Sequence, residues 1–168
     1  MAAPSLSHPE APDLRSASDR PRKTRAPRMS PVQPPEDDAV DGEARPVVLL
    51  AEDHEDSRDA LRTLLDAFGY RVVEATNGRE AVERALAETP DIILMDMMMP
   101  RVDGLQATRE IREVPALRTV PIIALTAMEG ARDRVMDAGC DDLVPKPIDV
   151  RAFLAKVREW LESGRRAA

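Results

Sequence analysis

From Pro46 onward, two kinds of hydrophobic spacing alternate five times along the chain. Short unbroken apolar runs occupy 47–51, 92–95 and 121–125, and shorter runs mixed with charges occupy 70–75 and 142–145. Runs of this length, bounded by turn residues, suit strands buried on both faces. Between them, apolar residues recur at helical spacing. Leu61, Leu64, Leu65 and Phe68 make one face of a helix that Gly69 stops. Asn77 and Glu80 have the spacing of a capping box and open a second helix with Ala81, Val82, Ala85 and Leu86 inward, closed by Thr89 and Pro90. Asp103 and Gly104 begin a third, carrying Leu105, Thr108 and Ile111 to about Val114 and Pro115. Ala131, Val135 and Ala138 mark a shorter fourth, ended by Gly139. Phe153, Leu154, Val157, Trp160 and Leu161 stripe the last, which the spacing carries to about Ser163 and Gly164.

Strands alternating with helices over short connections predict an α/β fold, a parallel sheet with helices on both faces. Right-handed crossovers leave few ways to wind it. Five strands fit a flavodoxin-like, doubly wound order 2-1-3-4-5, with the topological switch between the first and third strands. At that switch the first strand ends in Glu52 and Asp53, and the third in Asp96. Carboxylates more than forty residues apart are thereby expected to converge.

The first 45 residues read differently. Eight prolines recur among Ser, Ala and charges without hydrophobic periodicity, which predicts a disordered tail. A basic patch (Arg20, Arg22, Lys23, Arg25, Arg28) precedes an acidic one (Glu36, Asp37, Asp38, Asp41, Glu43). So short and interrupted a patch reads as a solvated arm before it reads as a docking segment. The expected organisation is therefore a tail over 1–45, one domain over 46–163 and a short C-terminal tail over 164–168.

Composition narrows the classes. A formal net charge of −7 opposes general affinity for nucleic acid or anionic membranes, both polyanions. The single cysteine, Cys140, forms no internal disulfide, and nothing approaches a membrane span, so a cytoplasmic protein is expected. Cys140 follows Gly139 at a helix end and reads as a small structural residue.

The candidate chemistry follows from the strand ends. Converging carboxylates raise one another's pKa unless a cation intervenes, and an all-oxygen site of few carboxylates suits Mg²⁺. Lys146 and Thr126, ending the fifth and fourth strands, bring an ammonium and a hydroxyl to the same edge. Phosphoryl transfer uses these parts: an oxygen nucleophile, a metal and fixed donors. Asp96 is the expected nucleophile, Glu52 and Asp53 the metal holders. His54, beside them, reads as the solvent-facing start of a helix before it reads as a ligand. Met95, Met97 and Met99 read as core filling, since strand alternation puts them in the sheet interior. Arg132 and Arg134 read as a solvated face before they read as part of a docking face on the fourth helix.

Together, Glu52-Asp53, Leu94-Met95-Asp96 with Met99-Pro100 and Asp103-Gly104, Ala124-Leu125-Thr126-Ala127 and Pro145-Lys146-Pro147 resemble the receiver domain of two-component response regulators, over about residues 46–163. The resemblance implies that Asp96 is the phosphoacceptor, taking a phosphoryl group from phosphohistidine. It implies Asp53 as a direct Mg²⁺ ligand, Glu52 acting through water, and the Met98 carbonyl completing the metal shell. It implies Thr126 as a switch hydroxyl and Lys146 as the phosphate-binding lysine, followed by a cis peptide to Pro147. The partners implied are a sensor histidine kinase or histidine phosphotransfer protein and a downstream protein target. Such a protein catalyses only its own phosphorylation and dephosphorylation.

Three positions depart from the pattern. Leu143 stands where receivers usually carry a switch Tyr or Phe, which leaves Thr126 and the helix after it to carry the activating movement. Met98 and Met128 stand where side chains line the path of attacking water, which predicts slow self-dephosphorylation. Few residues follow Trp160, so no DNA-binding domain is expected. Output is expected from the face of the fourth helix, fifth strand and fifth helix, including self-association through it. Two alternatives share the fold or the site. A flavodoxin-like binding module would need a phosphate-receiving first loop, and Glu-Asp-His-Glu-Asp repels one. An aspartyl-phosphate phosphatase would want an Asp where Met98 stands.

Overall fold

The computed structural model describes residues 44–167, with side chains to residue 164. The expected tail over 1–45 lies, but for its last two residues, outside them. The elements are β1 (Val47–Ala51), α1 (Glu55–Ala67), β2 (Arg71–Ala75), α2 (Gly78–Glu88), β3 (Ile92–Asp96), α3 (Gly104–Glu113), a 3-10 turn (Pro115–Leu117), β4 (Ile122–Thr126), α4 (Arg132–Ala138), β5 (Asp142–Pro145) and α5 (Val150–Ala167). All strand pairs are parallel, in the order β2-β1-β3-β4-β5, as the alternation predicts.

Two cores flank the sheet. Leu61 and Leu65 of α1 and Phe153, Leu154, Val157 and Leu161 of α5 cover one face, against Val48, Leu50, Ile92, Leu94, Ile123 and Leu125. Val82 of α2, Ile111 of α3 and Val135 of α4 cover the other, against Leu49, Ile93, Met95 and Ala124. Every residue of β3 and β4 is buried, which is why their sequences are continuous apolar runs.

Three local expectations are corrected. Leu86, assigned to the inward stripe of α2, is half exposed, because Ala81, Val82 and Ala85 already fill that face. The spacing ends α5 near Gly164, but the helix runs to Ala167. A glycine costs a helix only about 1 kcal/mol and stops it only by turning left-handed. Met97 and Met99 are buried in the core as expected, though they lie past the end of β3 and not within the strand.

The helix starts set the loops of the site. Asn77 accepts the Glu80 N–H at 2.9 Å, while the Glu80 carboxylate reaches past the cap to the N–H and hydroxyl of Thr76. Asp103 caps α3 by accepting the Gln106 N–H at 2.8 Å. The loop between β3 and α3 is gripped from two sides by glycines. A Cβ on Gly104 would lie 2.2 Å from the Asp96 carbonyl oxygen, and one on Gly78 2.2 Å from that of Val102. The Gly78 N–H donates to the Val102 carbonyl at 3.1 Å. Both obstacles are backbone, so no rotamer change relieves them. Gly104→Ala is expected to cost about 3 kcal/mol and to displace the end of β3; thermal unfolding checks this, and a melting temperature equal to the parent's would contradict it.

Candidate functional site

Register brings the strand ends level. Ala51 lies opposite Met95, so Glu52 and Asp96, one residue on, leave the sheet side by side. Asp96 pairs with Leu125, and Thr126 with Pro145, which puts Thr126 and Lys146 one step farther along the same edge. The Lys146 N–H donates to the Thr126 carbonyl at 2.8 Å, continuing the ladder past β5. The Lys146–Pro147 peptide is cis, as the resemblance implies.

The side chains meet there. Lys146 Nζ donates to Glu52 Oε2 at 2.9 Å and lies 3.2 Å from Asp96 Oδ2. Glu52 is 1% exposed and Asp96 3% exposed, whereas Asp53 is open to solvent. One carboxylate oxygen from each of Glu52, Asp53 and Asp96 falls within 4.8 Å of the others. Glu52 Oε1 accepts the His54 N–H at 3.1 Å, and Asp96 Oδ1 accepts the Met98 N–H at 2.9 Å. Thr126 is buried, and its hydroxyl accepts the Met128 N–H at 3.1 Å.

Electrostatics split the two buried carboxyls. Burial pushes Asp96 above the usual carboxylate range, and the neighbouring Glu52 charge adds to that, against the Met98 N–H and Lys146. Burial also works to raise Glu52, but its hydrogen bond to Lys146, with the His54 N–H, outweighs this and holds it below its ordinary value. Burial works to lower the pKa of Lys146; Glu52 and Asp96 together raise it. A single ammonium thus faces two buried carboxyls, beside which lies a third, exposed one.

The cluster fits a hard divalent cation. Its donors are all oxygens, the carboxylates outnumber the ammonium, and Asp53 leaves a solvent-facing side where coordinated water can remain. His54 is not among the grouped donors; it is exposed, stands at the N-cap position of α1 without a side-chain cap bond, and its Nδ1 lies 3.4 Å from the Ser57 hydroxyl.

Beside Thr126 runs an apolar groove of about 340 Å³ between the loop after β3 and α4. Met97, Met98, Met99 and Met128 line it, with Arg134 at its rim. Met98 is 62% exposed. Arg134 directs a guanidinium N–H to the Met128 sulfur at 3.2 Å, so it is engaged with the groove as well as solvated. Leu143 is half-buried against the core under α2, α3 and α4. Cys140 is buried near the Thr108 hydroxyl, and burial raises its thiol pKa, consistent with a structural residue.

Compared with known proteins, residues 48–158 match the response regulator receiver domain. The chain belongs to the response regulator receiver family. The polar-differentiation response regulator DivK of Brucella anthropi is 37% identical over 116 residues, 68% of this chain and 94% of that one. The receiver domain of a Pseudomonas aeruginosa sensor histidine kinase, crystallised with magnesium in its active-site cleft, is 37% identical with a TM-score of 0.67, covering 71% of this chain and 99% of that one. The chemotaxis protein CheY4 of Vibrio cholerae is 25% identical with a TM-score of 0.65, covering 69% and 98%. This receiver is thus a component of two-component signal transduction.

One participant of this receiver site carries no signal in the sequence. Arg58 of α1, mostly buried, donates from Nη1 to the Glu52 carbonyl at 3.1 Å and from Nε to Glu74 Oε1 at 3.1 Å. A lone Arg in the first turns of an acidic helix looks like any solvated charge.

Proposed function

We propose that Asp96 is the phosphoacceptor of this receiver, taking the phosphoryl group of a phosphohistidine on a sensor histidine kinase or histidine phosphotransfer protein. The observation that carries the reading is the meeting of Asp96, Glu52, Asp53 and Lys146 at one sheet edge. In the transfer the phosphohistidine N–P bond breaks, an Asp96 carboxylate oxygen forms the new bond to phosphorus, and the imidazole leaves. Asp53 and Asp96 would hold Mg²⁺ directly, Glu52 through water and Met98 through its carbonyl. When bound, that ion supplies positive charge that offsets the carboxylates and the phosphoryl oxygens.

The remaining groups are this chain's own. Lys146 holds a phosphoryl oxygen, already positioned by Glu52. Thr126 moves its hydroxyl from the Met128 N–H toward the acyl phosphate, drawing the start of α4 with it. Leu143, half-buried and without a ring, follows by repacking. The domain over 46–163 signals by contact with a downstream protein, through the face of α4, β5 and α5, where a second copy of the chain is an alternative occupant. It acts in the cytoplasm, and no helix among the described residues is long and apolar enough to cross a membrane. The chain works as a signalling phosphoacceptor, turning over no separate substrate.

The test is transfer of labelled phosphate from autophosphorylated histidine kinases of the source organism, with MgCl₂ present. Rapid labelling by one kinase of the panel supports the reading. Labelling by none of them, nor by a small phosphoramidate donor, contradicts it.

Met98 and Met128 bear on how long the signal lasts. Thioether sulfurs are weak acceptors and hold an attacking water poorly. The acyl phosphate is expected to outlast minutes, and Met98→Gln to shorten its life. A half-life of a few seconds in the parent, followed by loss of label from purified protein, would contradict this.

A further inference from the structure

The acidic pair sits on a piece of backbone that neither the sheet nor the helix satisfies. Ladder pairing of β1 ends at Ala51 on both sides, and the Glu52 N–H makes the last bond outward, to the Ala75 carbonyl at 3.0 Å. Helix α1 begins at Glu55, its first intrahelical acceptor being the His54 carbonyl, which takes the Arg58 N–H at 2.9 Å. The carbonyls of Glu52 and Asp53 fall between these two systems. The Glu52 carbonyl is part-buried, where an acceptor without a partner is costly, and a turn left this way would be free to rotate its side chains out of register.

Arg58 closes that gap. Its Nη1 lies 3.1 Å from the Glu52 carbonyl oxygen and 3.5 Å from that of Asp53, while Nε donates to Glu74 on β2. Glu74 is held in turn by Arg62, at 3.6 Å. The planar guanidinium spans a backbone acceptor and a carboxylate at once, which a lysine ammonium on its flexible stem does not reproduce. Glu74, shared with Arg62, offsets only part of the charge of Arg58, but the contacts that Arg58 makes with the turn are to its carbonyls and not to its carboxylates. Its effect is geometric.

We infer that Arg58, anchored by Glu74, is a positioning residue for the cation site: it fixes the turn bearing Glu52 and Asp53 so that their carboxylates face Asp96 before the ion arrives. This rests on the reading of that cluster as a Mg²⁺ site. A preset turn leaves less freedom to be lost on binding, so affinity rises without any contact between Arg58 and the ion.

Titration of the full chain with MgCl₂ by calorimetry, well below each variant's melting temperature, tests this. Arg58→Met and Arg58→Lys are both expected to weaken Mg²⁺ binding about tenfold, and Glu74→Gln by a smaller factor in the same direction. Faster hydrogen exchange at the His54 N–H, which donates to Glu52, is expected in Arg58→Met without added metal. If Arg58→Met binds Mg²⁺ as tightly as the parent, or more tightly, the inference fails. It fails equally if Arg58→Lys matches the parent, since charge alone would then suffice. Should Arg58→Met not fold, Glu74→Gln decides: unchanged affinity there overturns the inference. A parent that binds no Mg²⁺ overturns the metal site itself and this inference with it, whereas a parent that binds while Asp53→Asn does not leaves the site standing and the arginine as the question.

Discussion

Asp96→Asn is expected to abolish phosphorylation, lowering label incorporation from any phosphodonor by about a thousandfold or more, while the protein stays folded. The amide keeps the shape of the carboxylate but not its nucleophilic charge. Its oxygen can still accept the Met98 N–H, and Lys146 retains Glu52 at 2.9 Å. Burial and the Glu52 charge oppose ionisation of Asp96, so a neutral group there relieves repulsion without a cation. The melting temperature in EDTA is therefore expected to equal or exceed the parent's. Circular dichroism beside a labelling assay checks both halves, and a variant that labels like the parent would show that another group is the acceptor.

The second large effect concerns Asp53. It is the exposed member of the cluster, so its loss leaves the contacts among Lys146, Glu52 and Asp96 intact and removes the carboxylate nearest solvent. Asp53→Asn is expected to weaken Mg²⁺ binding by more than about tenfold and to slow phosphorylation in proportion. EDTA added to the parent is expected to stop phosphorylation altogether, and excess MgCl₂ to restore it. Calorimetry gives the affinity and labelling gives the rate. Full-rate labelling of the parent in EDTA would exclude a metal-dependent transfer.

Much of this was legible from the residue pattern because fully buried parallel strands must be apolar throughout. The runs at 47–51, 92–95 and 121–125 therefore located β1, β3 and β4, and the residue ending each run located the sheet edge. Glu52, Asp96 and Thr126 are conspicuous for the same reason: each is a polar residue buried at the end of an apolar run. Lys146 was legible by its place after β5, and its partner in the resting site, Glu52, lies 94 positions away. Leu86 misled because helical spacing tells which residues share a face, not how much of that face small residues such as Ala81 and Ala85 already close. Gly78 and Arg58 were not legible. The demand on Gly78 comes from the carbonyl of Val102, and that on Arg58 from carbonyls left between two elements, contacts that exist only once the chain is folded.

Localisation of the phosphoryl group tests the central claim most directly. The full chain, incubated with MgCl₂ and a phosphoramidate donor, would be reduced with borohydride to trap the acyl phosphate and digested for mass spectrometry. The account predicts a single modified residue, Asp96, converted to homoserine. Modification of Glu52, Asp53 or a residue away from this sheet edge, or a phosphoryl group that survives as a phosphoester, would contradict it.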